Sequence, residues 1–302
     1  MKRIAVTGRD GQLARALGAL AGPDLAVVHV GRPELDLEQP DTIRPALRAA
    51  RPDVIVNAAA WTAVDLAESH PDRAALVNAE GARIVARTAG ELAVPVIQIS
   101  TDYVFPGSGT LPHAETEPVG PETVYGATKL AGEMAVAAET ADHVILRTAW
   151  VYSPDGSNFL RTMLRLAAGR DEVGIVADQF GNPTYAADLA AAVVRVAGNL
   201  LRAPASGELR GTFHAAAAGE ASWAGFAGAI FEGSAARGGP AARIRPITTS
   251  DYPTPARRPA NSRLDCSKLA AVHGIRMPDW KDGLGRCLDR LAPFRTEARD
   301  VR

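Results

Sequence analysis

The sequence predicts an α/β protein: a doubly wound parallel sheet followed by a smaller α/β portion. Three observations lead there. Short β-branched runs alternate with helix-length stretches through the first 150 residues, and a glycine-rich turn follows the first run. No stretch of about 18 uninterrupted apolar residues occurs, the length that a membrane helix needs. The composition, 47% hydrophobic and 22% charged over 302 residues, supports a core without disulfide or metal staples. Lys+Arg number 33 and Asp+Glu 34, so no global field draws the chain to nucleic acid or to an anionic membrane. A soluble cytoplasmic protein is expected, with Cys266 and Cys287 as reduced thiols.

Taken in order, Ile4-Ala5-Val6 is the first strand, too short a run for a secretory signal despite the basic residues before it. Helices are expected over 12–21, 40–50, 71–93 and 124–140, and strands over 26–30, 53–56, 94–99 and 144–147. Such alternation puts helices on both faces of the sheet and ligand-binding residues just past the carboxyl ends of the strands. Further on, helices are expected over 158–168 and 188–201, with loose connections at 202–211 and 233–243. Prolines 253, 255 and 259 exclude regular structure from 251–259, and the tail from Pro293 is expected to be mobile.

Gly8-Arg9-Asp10-Gly11-Gln12-Leu13-Ala14 stands at the first strand–helix junction. Glycines there allow a tight turn and a close approach of backbone N–H groups to a pyrophosphate, while Ala14 lets helix and strand pack closely. Alone, the pattern marks any β–α turn; at this position it points to a dinucleotide and a Rossmann-type sheet. The second strand runs into Gly31-Arg32 instead of an acidic residue. Arg32 suits a ribose 2′-phosphate, which favours NADPH and leaves NADH, or a merely solvated arginine, open. The adenine is expected beside Asp36 and Leu37. Ser100-Thr101-Asp102-Tyr103 ends the fourth apolar run, and Tyr125 and Lys129 share one helix face at i and i+4. A phenol titrates at about 10, and a neighbouring ammonium, helped by an oxidised nicotinamide, is expected to lower that value.

On these residues, together with segments 51–60, 62–65, 147–152, 178–184, 252–255 and 258–264, the chain resembles the extended short-chain dehydrogenases/reductases, and within them the dTDP-4-dehydrorhamnose reductases. The resemblance implies that Gly8, Gly11, Gln12 and Leu13 hold the pyrophosphate, and that Arg32, Asp36 and Leu37 face the adenosine. Ala60, Trp61 and Thr62 would line the cleft near the nicotinamide. It further implies Tyr125 as proton donor, Lys129 on the nicotinamide ribose and Thr101 on the reacting carbonyl. Asp102 and Trp150 would contact the sugar, and Arg258, Asn261 and Arg263 the nucleotide diphosphate. The implied reaction is hydride transfer from NADPH (or NADH) to C4 of dTDP-4-dehydro-β-L-rhamnose, giving dTDP-L-rhamnose. Residues 1–150 would form the cofactor domain, with segments near 175–200 and 211–216 returning to it, and 151–302 mainly the sugar-nucleotide domain.

Departures from the family pattern also carry expectations. Some relatives bind magnesium through interfacial glutamates, and Ala16 and Ala187 stand at two of those places. No metal is therefore expected, and the chain is expected to be a monomer or weak homodimer. Position 61 is Trp where relatives often carry His, which leaves ligand stacking and core filling both open. The six histidines show no metal-like spacing, and Cys266 has no implied chemistry. Two alternatives remain: reduction of another dTDP-4-keto-deoxyhexose, and a non-catalytic NADP-binding subunit.

Overall fold

Alternate residues of the first strand face different helices, which is why its sequence reads as an unbroken apolar run. In the computed structural model, which describes residues 1–204 and 206–294, β1 (Lys2–Thr7) sends Ile4 and Val6 into one core and Ala5 into another. It is followed by α1 (Gln12–Gly18), β2 (Leu25–Val30), α2 (Pro40–Ala50), β3 (Val54–Asn57), α3 (Val64–Ser69), α4 (Pro71–Ala75) and α5 (Ala82–Leu92). Next come β4 (Val96–Thr101), α6 (Val124–Glu139), β5 (His143–Thr148) and β6 (Val151–Tyr152). Then α7 (Phe159–Ala167), β7 (Glu172–Val176), β8 (Phe180–Gly181), β9 (Thr184–Tyr185) and α8 (Ala186–Arg202) lead to β10 (Gly211–His214). The last elements are β11 (Ala221–Ser222), α9 (Trp223–Ala235), β12 (Arg243–Ile247), β13 (Asn261–Ser262), α10 (Ser267–His273) and α11 (Trp280–Leu291).

A six-stranded parallel sheet runs in the order β10-β5-β4-β3-β1-β2. On one face, Leu17 of α1 and Leu189, Val193 and Val196 of α8 pack with Ile4, Val56, Ile97 and Leu146. On the other, Ile43 and Leu47 of α2 and Val85 and Ala89 of α5 cover Ala5 and Ile55. Each buried Leu, Ile or Val contributes about 1.5–3 kcal/mol by leaving water. The chain leaves β1 for β2 on one side and returns to β3 on the other, so a crevice opens at their carboxyl ends. A separate core around Phe226, Ile230, Trp280 and Leu284 joins α7, α9 and α11 to the parallel pair β7–β12.

Three stretches differ from expectation. The helix over 71–93 runs unbroken from Pro71 to Leu92 but not regularly: between α4 and α5 it widens into a π-helical turn, Leu76–Gly81. Asn78 O presses on Gly132 of α6, where an added Cβ would lie only 2.1 Å away. Next, α1 stops at Gly18 rather than at 21, with the His29 ring against the bare Gly18 Cα. Finally, α9 extends into 233–243, so that stretch is only partly a loop. Past the short turn Thr249–Asp251, the segment to 259 is irregular, as its prolines require. The expected mobile tail lies, from 295 on, outside the described residues.

Candidate active site

Where β1 and β3 part, a cavity of about 820 Å³ opens, within the size range of ligand sites. One wall is the turn after β1. Gly8 has φ +86°, a region L-residues avoid, and its N–H donates to Val30 O at 2.8 Å. Gly11 has open space where a Cβ would stand. Gln12 and Leu13 begin α1, whose first amides lack intrahelical partners and suit an anion. Arg32, Asp36 and Leu37 line the β2 side; Arg32 Nε lies 3.0 Å from Asp36 Oδ2, and Arg9 pairs with Glu34. Ala60, Thr62, Thr101, Asp102, Tyr125, Lys129 and Trp150 complete the lining. A glycine-floored turn and the first residues of a helix lining one cavity fit a dinucleotide.

Thr101 ends β4, and Tyr125 and Lys129 lie a turn apart on the buried face of α6. Thr123 fixes the start of that helix by accepting the Gly126 N–H at 3.0 Å. Thr101 Oγ1 donates to Asp102 Oδ1 at 3.0 Å and accepts the Tyr103 N–H at 3.2 Å. Burial pushes Tyr125 up to about 12. The lowering expected from the lysine together with an oxidised nicotinamide is not a property of the phenol alone: burial is the largest cause and raises it, and Lys129 Nζ donates to Ile99 O at 2.6 Å. Burial also brings Lys129 down to about 8, opposed by the Glu133 charge. Asp102 is lifted to about 6 by burial, against hydrogen bonds from Ser262 and Thr101, and its Oδ2 has no partner.

Beneath these groups lies a polar ladder that sequence reading missed. Thr7 Oγ1 donates to Asn57 Oδ1, Asn57 Nδ2 to Gln98 Oε1, and Gln98 Nε2 to Ile99 O, at 2.7, 2.7 and 3.0 Å. It crosses the ends of β1, β3 and β4 and finishes on the carbonyl that receives Lys129. Its only signal was a polar residue in or closing each apolar run. Asn78, also missed, accepts the Trp61 N–H at 2.8 Å and donates to Thr128 Oγ1 at 3.1 Å. It thereby fixes the Ala60–Thr62 segment against the helix that carries Tyr125.

Four expected residues do not line the cavity. The Trp61 indole turns onto α4: Arg73 lies over it at 5.2 Å, and Nε1 donates to Ala63 O. That favours packing over ligand stacking. Asn261 is buried, its amide donating to Leu111 O at 2.8 Å. Arg263 is taken by Glu220, Asn261 Oδ1 and Thr110 O, and Arg258 by Asp65 at 2.6 Å. Conversely, Gly156, Ser157 and Trp223 line the cavity without having been expected. Gln12 ties the β1 turn to that second portion, accepting from Asn158 Nδ2 at 3.0 Å and donating to Val151 O at 3.3 Å.

Similarities to known proteins cover almost the whole chain. The family described as RmlD substrate binding domain matches residues 1–292. A dTDP-4-dehydrorhamnose reductase of Sinorhizobium fredii is 49% identical over 284 residues, covering 94% of this chain and 96% of that protein. One from Escherichia coli is 43% identical over 297 residues, 95% of this chain and 97% of that one. The crystal structure of a Bacillus anthracis dTDP-4-dehydrorhamnose reductase, in complex with NADP, has a TM-score of 0.88 at 33% identity, covering 96% of this chain and 100% of its own.

Proposed function

The chain belongs to the RmlD substrate binding domain family, and from that premise we propose that it reduces the C4 ketone of dTDP-4-dehydro-β-L-rhamnose to dTDP-L-rhamnose with NADPH, or with NADH. One observation carries the reading: the cavity that holds the glycine turn also holds Thr101, Tyr125 and Lys129, all buried. Gly8, Gly11, Gln12 and Leu13 hold the cofactor's pyrophosphate, Arg32, Asp36 and Leu37 its adenosine, and Ala60 and Thr62 its nicotinamide end. When bound, the cofactor supplies the hydride to C4.

The side chains supply protons and position. Burial keeps the Tyr125 phenol protonated, so it enters the reaction as the acid and protonates O4 as charge appears there. Thr101 has a single hydroxyl proton, and by turning it from Asp102 Oδ1 it donates to the ketone oxygen. Lys129, held by the Ile99 carbonyl, binds the nicotinamide ribose and offsets the charge of the phenolate left behind. Asp102 and Trp150 contact the sugar. Arg258 serves the diphosphate by leaving Asp65.

Residues 1–150 with α8 and β10 act as the cofactor portion, and the rest as the substrate portion; the separate core around Phe226 supports that division. The enzyme works in the cytoplasm as a monomer or weak homodimer, without nucleic acid. No helix among the described residues is long and apolar enough to cross a membrane. The test is to mix the purified protein with dTDP-4-dehydrorhamnose and NADPH or NADH and to follow oxidation of the cofactor. Stoichiometric oxidation with formation of dTDP-L-rhamnose is expected; no oxidation with either cofactor overturns the reading.

A further inference from the structure

Trp150 has φ +48°, a left-handed conformation that non-glycine residues avoid. The surroundings hold it there, as they do strained residues at functional sites. Gly181 gives way to its indole, since an added Cβ would stand 2.5 Å from the ring. Stacked on Trp150 is Trp223, the first residue of α9, with ring centroids 3.4 Å apart and planes inclined by 8°. Trp223 is itself braced. Phe159 packs on it at 4.5 Å, its Nε1 donates to Gln179 Oε1 at 3.1 Å, and the buried Gln179 donates on to Thr249 Oγ1 at 3.0 Å. Both indoles line the cavity that holds Thr101, Asp102 and Tyr125.

The cavity thus combines a rigid aromatic surface, the Trp223 N–H already satisfied, with a polar one. A hexose has the same two-sidedness, and a 6-deoxyhexose more so, because its C6 is a methyl group. C–H groups settle on the negative face of an indole, and hydroxyls do not. Resting on the reading of this site as a dTDP-4-keto-sugar reductase, we propose that Trp223 is a specificity-determining residue: with Trp150 it forms the wall that receives the C–H face and C6 methyl of the sugar, selecting 6-deoxy over 6-hydroxy hexoses.

The test compares wild type, Trp223→Ala and Trp223→Phe. In Trp223→Ala the KM for dTDP-4-dehydrorhamnose rises about tenfold, as for loss of an apolar pocket wall, while the KM for NADPH stays within about twofold. Trp223→Phe recovers most of the loss. The preference for dTDP-6-deoxy-D-glucose over dTDP-glucose as a competing ligand, a pair that differs only at C6, shrinks in parallel. Unchanged sugar-nucleotide KM in Trp223→Ala, or equal rises in both KM values as a merely structural role would give, overturns the proposal. If wild type oxidises no cofactor, the functional reading fails by itself. The wall is then judged by calorimetric titration with dTDP-L-rhamnose, where equal affinity of wild type and Trp223→Ala sinks it.

Discussion

Tyr125 holds its proton more tightly than a free tyrosine because its phenolate would sit in a desolvated pocket. A group so placed gives up a proton only to a site that has just become strongly basic, which is the condition of the ketone oxygen as hydride arrives. Tyr125→Phe is therefore expected to lower kcat by about 10²–10⁴, the usual worth of a general acid. Its NADPH dissociation constant, measured by fluorescence titration, stays near the wild-type value. Asp102 provides a pH signature of a different kind. Its carboxyl is raised to about 6 by burial, whereas the unfolded chain ionises near its ordinary value of 3.8. The unfolded state thus loses its proton first as pH rises. The associated stability is fully present below about pH 4 and is lost on the way to about pH 6. Relative to Asp102→Asn, wild type is expected to lose about 1.4 kcal/mol of unfolding free energy per pH unit across that window and to level off above it. Urea titrations at pH 4.5, 5.5 and 7 measure the slope; a flat difference contradicts it.

Among the elements, the π turn Leu76–Gly81 carries Asn78, which grips Trp61 and Thr128. Its fit depends on Gly132, so Gly132→Ala should destabilise the protein by about 1–3 kcal/mol, the cost of overpacking, seen as a lower Tm. The same variant should raise the KM for NADPH, because the Ala60–Thr62 wall loosens with Asn78. This element also shows where sequence reading stops. The strands were legible because burial on both faces leaves runs such as Val54-Ile55-Val56, and the β1 turn because Gly8 and Gly11 sit at its junction. The π turn within 71–93 was not, since the apolar period continues through it and the glycine it packs against, Gly132, lies far along the chain. Helix α9 was hidden by Gly225, Gly228 and Gly233, poor helix formers that allow close packing. The turning of Trp61 away from the cavity depends on Arg73 and Asn78, and position 61 alone could not reveal it.

At the scale of the whole molecule, an even charge balance is reproduced locally around the cavity. Arg9 faces Glu34, Arg32 faces Asp36 and Arg258 faces Asp65. Arg258→Ala is expected to weaken dTDP binding about tenfold, because it leaves the Asp65 carboxylate unpaired where the diphosphate is received, and like charges repel. Asp65→Asn, which frees the guanidinium yet can still accept the Ala256 N–H, is expected to tighten it. Calorimetry with dTDP distinguishes the two, and matching losses in both variants would mean that the pair serves only to hold the segment after Asp251. The pairing bears on which anions the cleft accepts. A lone chloride or phosphate gains one ion pair by breaking one, and so gains almost nothing. A nucleotide brings a base, a sugar and their apolar surface besides its phosphates, so its binding does not rest on the exchanged pair, and the pairing works against small anions alone.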